Sequence, residues 1–267
     1  MKTITGIHGV PRSGTSWLAQ IFNASPETSL KFQPLFSYAF KDYLNELSSK
    51  DEVENFFKEI YNTNDAFINM RDREIHKSYP IFKKNNTLDH LVFKNIRYHY
   101  LIETMLKKNN KVKFILIVRN PLAVLTSWKN APREFNPNWS FEEEWKLANN
   151  KNLGRKEEYF GYLKWKEASS LFLFLKNKYP QRVVIVRYKD LLADTDSAME
   201  TLFKFSAIPL HDSVYGFIKE SKERTILDKN AVHKIKKTDD VWKSEITVDI
   251  QNFIKKDLES TNLYQFL

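Results

Sequence analysis

Residues 9–16 read Gly-Val-Pro-Arg-Ser-Gly-Thr-Ser and separate two segments of different hydrophobic periodicity. The pattern before them predicts a strand over residues 3–10, and apolar residues at helical spacing predict a helix over residues 15–23. The sequence therefore predicts a turn over residues 11–14 that joins a strand to the start of a helix. Backbone amides and the positive end of the helix dipole face outward at such a turn and favour an anion.

The turn departs at one position from the loop that binds nucleotide triphosphates. That loop follows the pattern G-x-x-x-x-G-K-[ST], and its lysine reaches the β- and γ-phosphates. Here Thr15 occupies the lysine position, the cation lies earlier at Arg12, and Gly14 permits the tight turn. We infer a ligand that carries one terminal anionic group beyond a single 5'-phosphate.

Strand and helix patterns alternate along most of the chain. Further strands are predicted over residues 90–93, 112–118 and 182–187. Helices are predicted over residues 98–108, 121–128, 158–178 and 196–205. Two more helix starts match the capping box, at Ser49 with Glu52 and at Ser140 with Glu143. Because no repeat or linker divides residues 1–267, we predict one domain with an α/β fold, a P-loop-like three-layer sandwich in which helices flank a central parallel sheet.

Composition narrows the classes of function. Cysteine is absent, which excludes disulfides, thiolate metal ligands and a cysteine nucleophile. No apolar run approaches the roughly 18 residues of a membrane span, and the first residues lack the apolar block of a signal peptide, so we predict a cytoplasmic protein. The net charge of +9 favours an anionic partner. Nucleotide, nucleic acid, acidic polysaccharide and membrane surface remain open at this point.

The run over residues 10–18 resembles the 5'-phosphosulfate loop of sulfotransferases that use 3'-phosphoadenosine 5'-phosphosulfate (PAPS). Those enzymes carry Pro-[Lys/Arg]-Ser-Gly-[Thr/Ser]-x-[Trp/Phe/Leu] between a strand and a helix. The resemblance implies PAPS as co-substrate and places Trp17 near its adenine. It also implies that Arg12 and the loop amides hold the sulfonate and 5'-phosphate; the amides belong to Ser13, Gly14, Thr15 and Ser16.

A second motif of the same family follows the apolar strand predicted over residues 112–118. Family members place an arginine at the strand end and a serine in the next helix, and the two bind the 3'-phosphate. Arg119 and Ser127 match this pattern and its spacing. The planar fork of an arginine suits phosphate oxygens. Asn120 stands where many carbohydrate-acting members have aspartate.

Two weaker similarities lie further on. Residues 183–191 resemble the third strand of the family, which implies that Tyr188 approaches the adenine. The basic run at residues 233–237 is similar to the closing loop of the family, which implies that Lys236 or Lys237 reaches the 3'-phosphate.

The family's chemistry requires cations at the reacting group and a base for the acceptor. We expect Arg12 to neutralise the transferring sulfonate, and Lys94, at a strand end, to stabilise the leaving oxygen. Gln33 occupies the position of a glutamate that is the proposed base in carbohydrate-type members. A neutral amide cannot accept the proton, so His99 becomes the candidate catalytic base and His76 the alternative.

The predicted activity is transfer of a sulfuryl group from PAPS to a hydroxyl or amine of a small-molecule or oligosaccharide acceptor. Loop formers and aromatic residues at 130–139 predict part of the acceptor site or a lid, and favour a saccharide. We predict no metal and no nucleic-acid partner. The alternatives are a P-loop-type small-molecule kinase, a nucleic-acid-binding protein, and a degenerate member of the fold that binds nucleotide without catalysis.

Overall fold

The computed structural model describes residues 1–72, 79–223 and 239–267. Its sheet has five parallel strands in the order β2-β3-β1-β4-β5. The strands are β1 (Thr3–His8), β2 (Thr28–Phe32), β3 (His90–Asn95), β4 (Val112–Val118) and β5 (Val183–Arg187). The central strand β1 pairs with β3 on one side and β4 on the other, so the chain changes direction across the sheet beside β1. Parallel sheets bind ligands beyond the carboxyl ends of the strands at such a switch point.

Alternation along the strands divides the core into two layers. In β4, Phe114 and Leu116 belong to one cluster of buried residues, and Ile115 and Ile117 belong to the other. A strand that is covered on both faces carries a continuous apolar run, which β4 does. The sheet is therefore the middle layer of a three-layer sandwich, and the predicted fold class is confirmed.

Helices cover both faces of the sheet. They are α1 (Thr15–Asn23), α2 (Lys50–Asn62), α3 (Ile102–Lys108), α4 (Pro121–Lys129), α5 (Phe141–Leu147), α6 (Asn149–Asn152), α7 (Tyr162–Lys178), α8 (Tyr188–Ala193), α9 (Thr195–Ser206), α10 (Asp212–Glu223), α11 (Trp242–Glu245) and α12 (Val248–Leu258). Short 3-10 turns lie at Pro34–Phe36, His99–Leu101 and Tyr264–Phe266. Apolar faces of α1, α9 and α10 pack on one side, and those of α2, α3, α7 and α12 pack on the other. Within the described residues, every helix is too short or too polar to cross a membrane.

Local signals explain most helix boundaries. The capping box at the start of α2 is present, since the Glu52 amide donates to Ser49 Oγ at 3.2 Å and the Ser49 amide donates to Glu52 Oε2 at 2.6 Å. The capping box predicted at Ser140 is wrong, because that side chain caps no backbone amide of α5. The long helix predicted from residue 158 begins only at Tyr162, after Gly161 with its positive φ of 83°.

Candidate functional site

The turn after β1 has a strained backbone. Arg12 and Gly14 both have positive φ, 72° and 91°. A Cβ atom on Gly14 would come within 2.5 Å of the Tyr188 ring, so both the conformation and the close approach require glycine. Left-handed conformation is uncommon for a residue such as arginine, and strain of this kind concentrates at functional sites.

One buried polar side chain of this turn, that of Ser13, lacks a hydrogen-bond partner within the described part of the chain. Ser13 is fully buried, and its Oγ has no hydrogen-bond partner there. No side chain caps the first turn of α1, which follows directly. Buried polar groups are normally hydrogen-bonded, so an orphaned hydroxyl beside uncapped helix amides fits an anionic ligand with acceptor oxygens.

The two predicted motifs meet in space although they lie far apart in sequence. Arg119, which follows β4, donates from Nη1 to the carbonyl oxygen of Arg12 at 2.6 Å. Arg12 in turn donates from Nε to Oγ of Ser127, on α4, at 3.2 Å. The hydrogen bond from Arg119 therefore holds the backbone of the strained turn. The hydrogen bond from Arg12 joins the turn to α4, the helix of the second motif.

The fork of Arg119 already holds an anion. Its Nε donates to Oδ2 of Asp239 at 2.8 Å, and Nη2 donates to Oδ1 of the same carboxylate. The guanidinium lies 4.9 Å from the centre of the Tyr188 ring, while burial raises the pKa of Tyr188 to about 12. Asp239 thus stands in the position of a bidentate oxyanion, and the chemistry of the arginine fits a phosphate there.

Lys94 lies near the end of β3 and is almost completely buried, with 2% of its surface exposed. Its Nζ lies 4.5 Å from the centre of the Phe32 ring. Burial lowers the pKa of Lys94 to about 7; Glu134 opposes this shift, and Arg97 and Arg12 add to it. A lysine in this state is ready to gain charge when an anionic group approaches.

The glutamine at the family's glutamate position is held by a buried chain of polar groups. Gln33 Oε1 accepts from Nη1 of Arg97 at 3.2 Å, and Nε of Arg97 donates to Oε1 of Glu158 at 2.8 Å. Arg97 also stacks on Phe36, 4.1 Å from the ring centre. Gln33 therefore serves as an acceptor for an arginine in this arrangement, and not as a base.

The structure argues against His99 as the acceptor's base. The ring is fully buried beside Tyr159, with 4.3 Å between ring centres, and burial holds its pKa well below the ordinary value. His8 Nε2 accepts from Asn95 Nδ2 at 3.3 Å, so the neutral His8 ring carries its proton on Nδ1. His8 Nδ1 donates this proton to Nδ1 of His99 at 3.1 Å. A neutral imidazole has one nitrogen lone pair that can accept a proton, and in His99 this lone pair is already engaged by His8. The other candidate base, His76, lies outside the described residues.

The remaining predicted site residues divide into those that adjoin the turn and those that cannot be placed. Thr15 is buried and Ser16 is half-buried in the first turn of α1. Trp17 donates from Nε1 to Oγ of Ser221 at 3.0 Å and packs against the core layer under α1. Lys236 and Lys237 lie outside the described residues.

The loop predicted to line the acceptor site differs from expectation. Phe135 is buried and packs against Trp128 with 5.0 Å between ring centres, so these rings belong to the core. Trp139 is half-buried at 5.6 Å from Phe135. The loop instead directs Glu134 toward Arg12, with 3.7 Å between Oε2 and Nη1.

Sequence reasoning missed several charged residues of the site. Glu134 is the one acidic residue in the loop at 130–139. An isolated carboxylate in a loop predicted to line the acceptor site is a signal for a functional group, but the prediction for this loop rested on its aromatic residues. Arg97 comes three residues after Lys94, but nothing in its spacing indicates a contact with Gln33. The partner of Arg119, Asp239, is 120 residues away, and no local pattern predicts it. In the described parts of the chain, no group of three or more His, Asp or Glu side chains is placed to hold a metal ion.

The fold and the two arginine-bearing loops define a P-loop-like α/β protein. Residues 4–263 match the model of the sulfotransferase domain, and the chain therefore belongs to that family. No curated protein matches the sequence significantly.

Solved structures with the same fold share little sequence with this chain. A mouse sulfotransferase complexed with PAP is 16% identical, with a TM-score of 0.55 over 99% of this chain and 88% of that chain. Retinol dehydratase in a complex with retinol and PAP is 13% identical, with a TM-score of 0.56 over 98% of this chain and 83% of that chain. A sulfotransferase from Alicyclobacillus acidocaldarius is 13% identical, with a TM-score of 0.54 over 97% and 92%. At these identities the likeness establishes the fold.

Proposed function

We propose that the protein transfers a sulfuryl group from PAPS to a hydroxyl or amine acceptor and releases adenosine 3',5'-bisphosphate (PAP). The observation that carries this proposal is the meeting of the two motifs, in which Arg119 binds the backbone of Arg12 and Arg12 binds Ser127. Membership of the sulfotransferase family and the PAP complexes of two structural neighbours support it.

The residues predicted from the sequence have the following roles in this proposal. Arg12 binds the transferring sulfonate, and Ser13, Gly14, Thr15 and Ser16 offer amides and hydroxyls to the sulfonate and 5'-phosphate. Arg119 and Ser127 bind the 3'-phosphate, where Asp239 now holds the guanidinium. Lys94 provides positive charge at the leaving oxygen. Tyr188 and Trp17 border the adenine, and Lys236 or Lys237 adds charge at the 3'-phosphate.

The acceptor is the open part of the proposal. A saccharide stays a prediction, since Phe135, one of the two aromatic residues of the loop, packs in the core instead of contributing to a platform. A location in the cytoplasm and a single domain over residues 1–267 also stay predictions. The proposed roles include no metal, since Arg12, Arg119 and Lys94 are assigned to the anionic groups of the donor, and metal independence stays a prediction.

Ligand choice tests the proposal against the kinase alternative. Thermal melting of the full chain is measured with PAP, ATP and AMP at equal concentrations. A ligand at about one hundred times its Kd stabilises the folded state by roughly 2.7 kcal/mol, and we expect the largest shift from PAP. PAPS turnover is then measured against saccharides, phenols and amines, with and without EDTA. An equal shift with ATP, or turnover that needs Mg²⁺, would overturn the proposal in favour of phosphoryl transfer.

A further inference from the structure

The carboxylate of Glu134 lies beside Arg12 but has no role in the proposed binding of PAPS. Its Oε2 is buried, has no hydrogen-bond partner within the described residues, and lies 3.7 Å from Nη1 of Arg12. One quarter of the side chain (25%) nevertheless remains exposed, so the group can meet a ligand that enters from solvent.

The backbone around Glu134 fixes the direction of this side chain. The Glu134 amide donates to the carbonyl oxygen of Ala131 at 2.8 Å, which closes a turn directly after α4. The Glu134 carbonyl oxygen accepts from Nε1 of Trp128 at 3.3 Å, and Trp128 is itself buried. Because the core holds both ends of this turn, the carboxylate is directed toward Arg12 by packed elements and not by a loose loop.

The surroundings of Glu134 are cationic. Its charge raises the pKa of Lys94 and of Lys151 against the stronger lowering effect of burial. Arg12 is the cation in direct contact with the carboxylate, and Lys94 and Lys151 are close enough to feel its charge.

Asp239 and Glu158 accept hydrogen bonds from arginine, whereas within the described residues no arginine donates to Glu134. Asp239 holds Arg119 with both oxygens, and Oε1 of Glu158 accepts from Arg97 at 2.8 Å. The side chain of Glu158 is also less exposed, 7% against 25% for Glu134. A carboxylate used only as a structural ion-pair partner would be expected to take the shorter, bonded geometry that Asp239 takes.

We propose that Glu134 is the catalytic base that accepts the proton of the acceptor. This inference rests on the proposed function, in which Arg12 binds the sulfonate, since the acceptor must then approach sulfur beside Arg12. The proton of the acceptor O–H passes to the Glu134 carboxylate as the new O–S bond forms. The S–O bond to the 5'-phosphate breaks, its electron pair leaves with PAP, and Glu134 later returns the proton to water.

Turnover with acceptors of different acidity shows whether Glu134 acts as a base or only as an ion-pair partner of Arg12. Turnover of PAPS by the parent, Glu134→Gln, Glu134→Asp and the exposed control Glu143→Gln is measured with 4-nitrophenol and with a saccharide or simple alcohol. 4-nitrophenol is already largely ionised in mildly alkaline buffer and needs no base. Glu134→Gln should lose about two to four orders of magnitude with the un-ionised acceptor and little with 4-nitrophenol. Glu134→Asp should recover part of the loss, and Glu143→Gln should match the parent.

The PAP melting shift of each variant distinguishes failure of this inference from failure of the proposed function. If Glu134→Gln keeps the shift but loses equal activity with both acceptors, its role is to position Arg12, and the assignment as base is overturned. Unchanged activity with both acceptors overturns it as well. A parent protein that shows no PAP shift and no turnover instead refutes the proposed function.

Discussion

Lys94 combines deep burial with a position near the end of the strand β3. Burial lowers its pKa to about 7, and its Nζ lies against the Phe32 ring. In the ligand-free protein, a large fraction of this lysine is therefore neutral above that pH. The proposed role needs the cation, so donor capture depends on the protonation of one side chain.

The pH dependence of kcat/KM for PAPS tests this role. Since kcat/KM reports groups of the free enzyme, we expect it to fall as pH rises through about 7, where Lys94 loses its proton. The bound donor is anionic and raises the pKa of Lys94, so the fall in kcat should come at higher pH. Steady-state rates at varied PAPS and saturating acceptor measure both profiles.

Lys94→Arg provides the matched variant, because a guanidinium keeps its charge over the whole range. Its kcat/KM should be lower than that of the parent but free of the fall near neutral pH. A variant that keeps the parent's profile would show that another group causes it.

Among the helices and strands, those with a local sequence pattern are predictable, and those that depend on long-range contacts are not. The unit of β1, turn and α1 was predictable because the change of period and the turn residues lie within one short stretch. Strand β2 was missed, since Ser29 and Lys31 interrupt its apolar pattern although both are buried. Lys31 is accommodated by Asn69, whose Oδ1 accepts from Nζ at 2.7 Å, a contact that no spacing rule contains.

The candidate site shows the same division. Arg12, Arg119 and Ser127 carry signatures in their own segments, and the parallel sheet brings the segments to one edge. Glu134 and Asp239 reach the site through tertiary contacts that span more than one hundred residues. The catalytic base therefore stays a prediction, because no segment of the sequence carries a matching signature for it.

The contact between Asp239 and Arg119 gives a prediction at this scale. A phosphate that binds the Arg119 fork must first displace the carboxylate, so the ion pair competes with the ligand. We expect Asp239→Asn to bind PAP several-fold more tightly, up to about tenfold, because a neutral amide competes less well for the guanidinium. Isothermal titration of PAP against the variant and the parent measures the difference.

Two further variants make the comparison specific. Arg119→Ala should weaken PAP binding about tenfold to a hundredfold, since a charge-assisted contact is worth roughly 1.5–3 kcal/mol. Asp240→Asn is the control, because the neighbouring Asp240 is exposed and pairs with Lys243 at 3.0 Å. Weaker PAP binding by Asp239→Asn would mean that this carboxylate supports the site instead of competing for it.

At the scale of the whole molecule, the buried pair of His8 and His99 connects the central strand β1 to the helix α7. His8 lies at the end of β1, and His99 packs on Phe172 of α7 with 5.2 Å between ring centres. Burial and Lys94 lower the pKa of His8 to about 3, and burial holds that of His99 well below its ordinary value. Protonation of either ring is therefore unfavourable in the folded protein, so the pair contributes to the pH dependence of stability.

Acid stability tests this conclusion. In the unfolded chain the two imidazoles protonate near pH 6.5, whereas in the folded protein they remain neutral, so the unfolded state binds more protons as pH falls from about 6.5 toward 3. Their stabilisation is complete above about pH 6.5 and declines below it, by up to about 1.4 kcal/mol per pH unit for each ring.

Urea unfolding between pH 7 and 5 should show this slope in the parent and a smaller one in the double variant His8→Leu with His99→Phe. An equal slope in the double variant would assign the acid sensitivity to other groups, and a double variant that folds and still turns over PAPS would remove His99 from the reaction altogether.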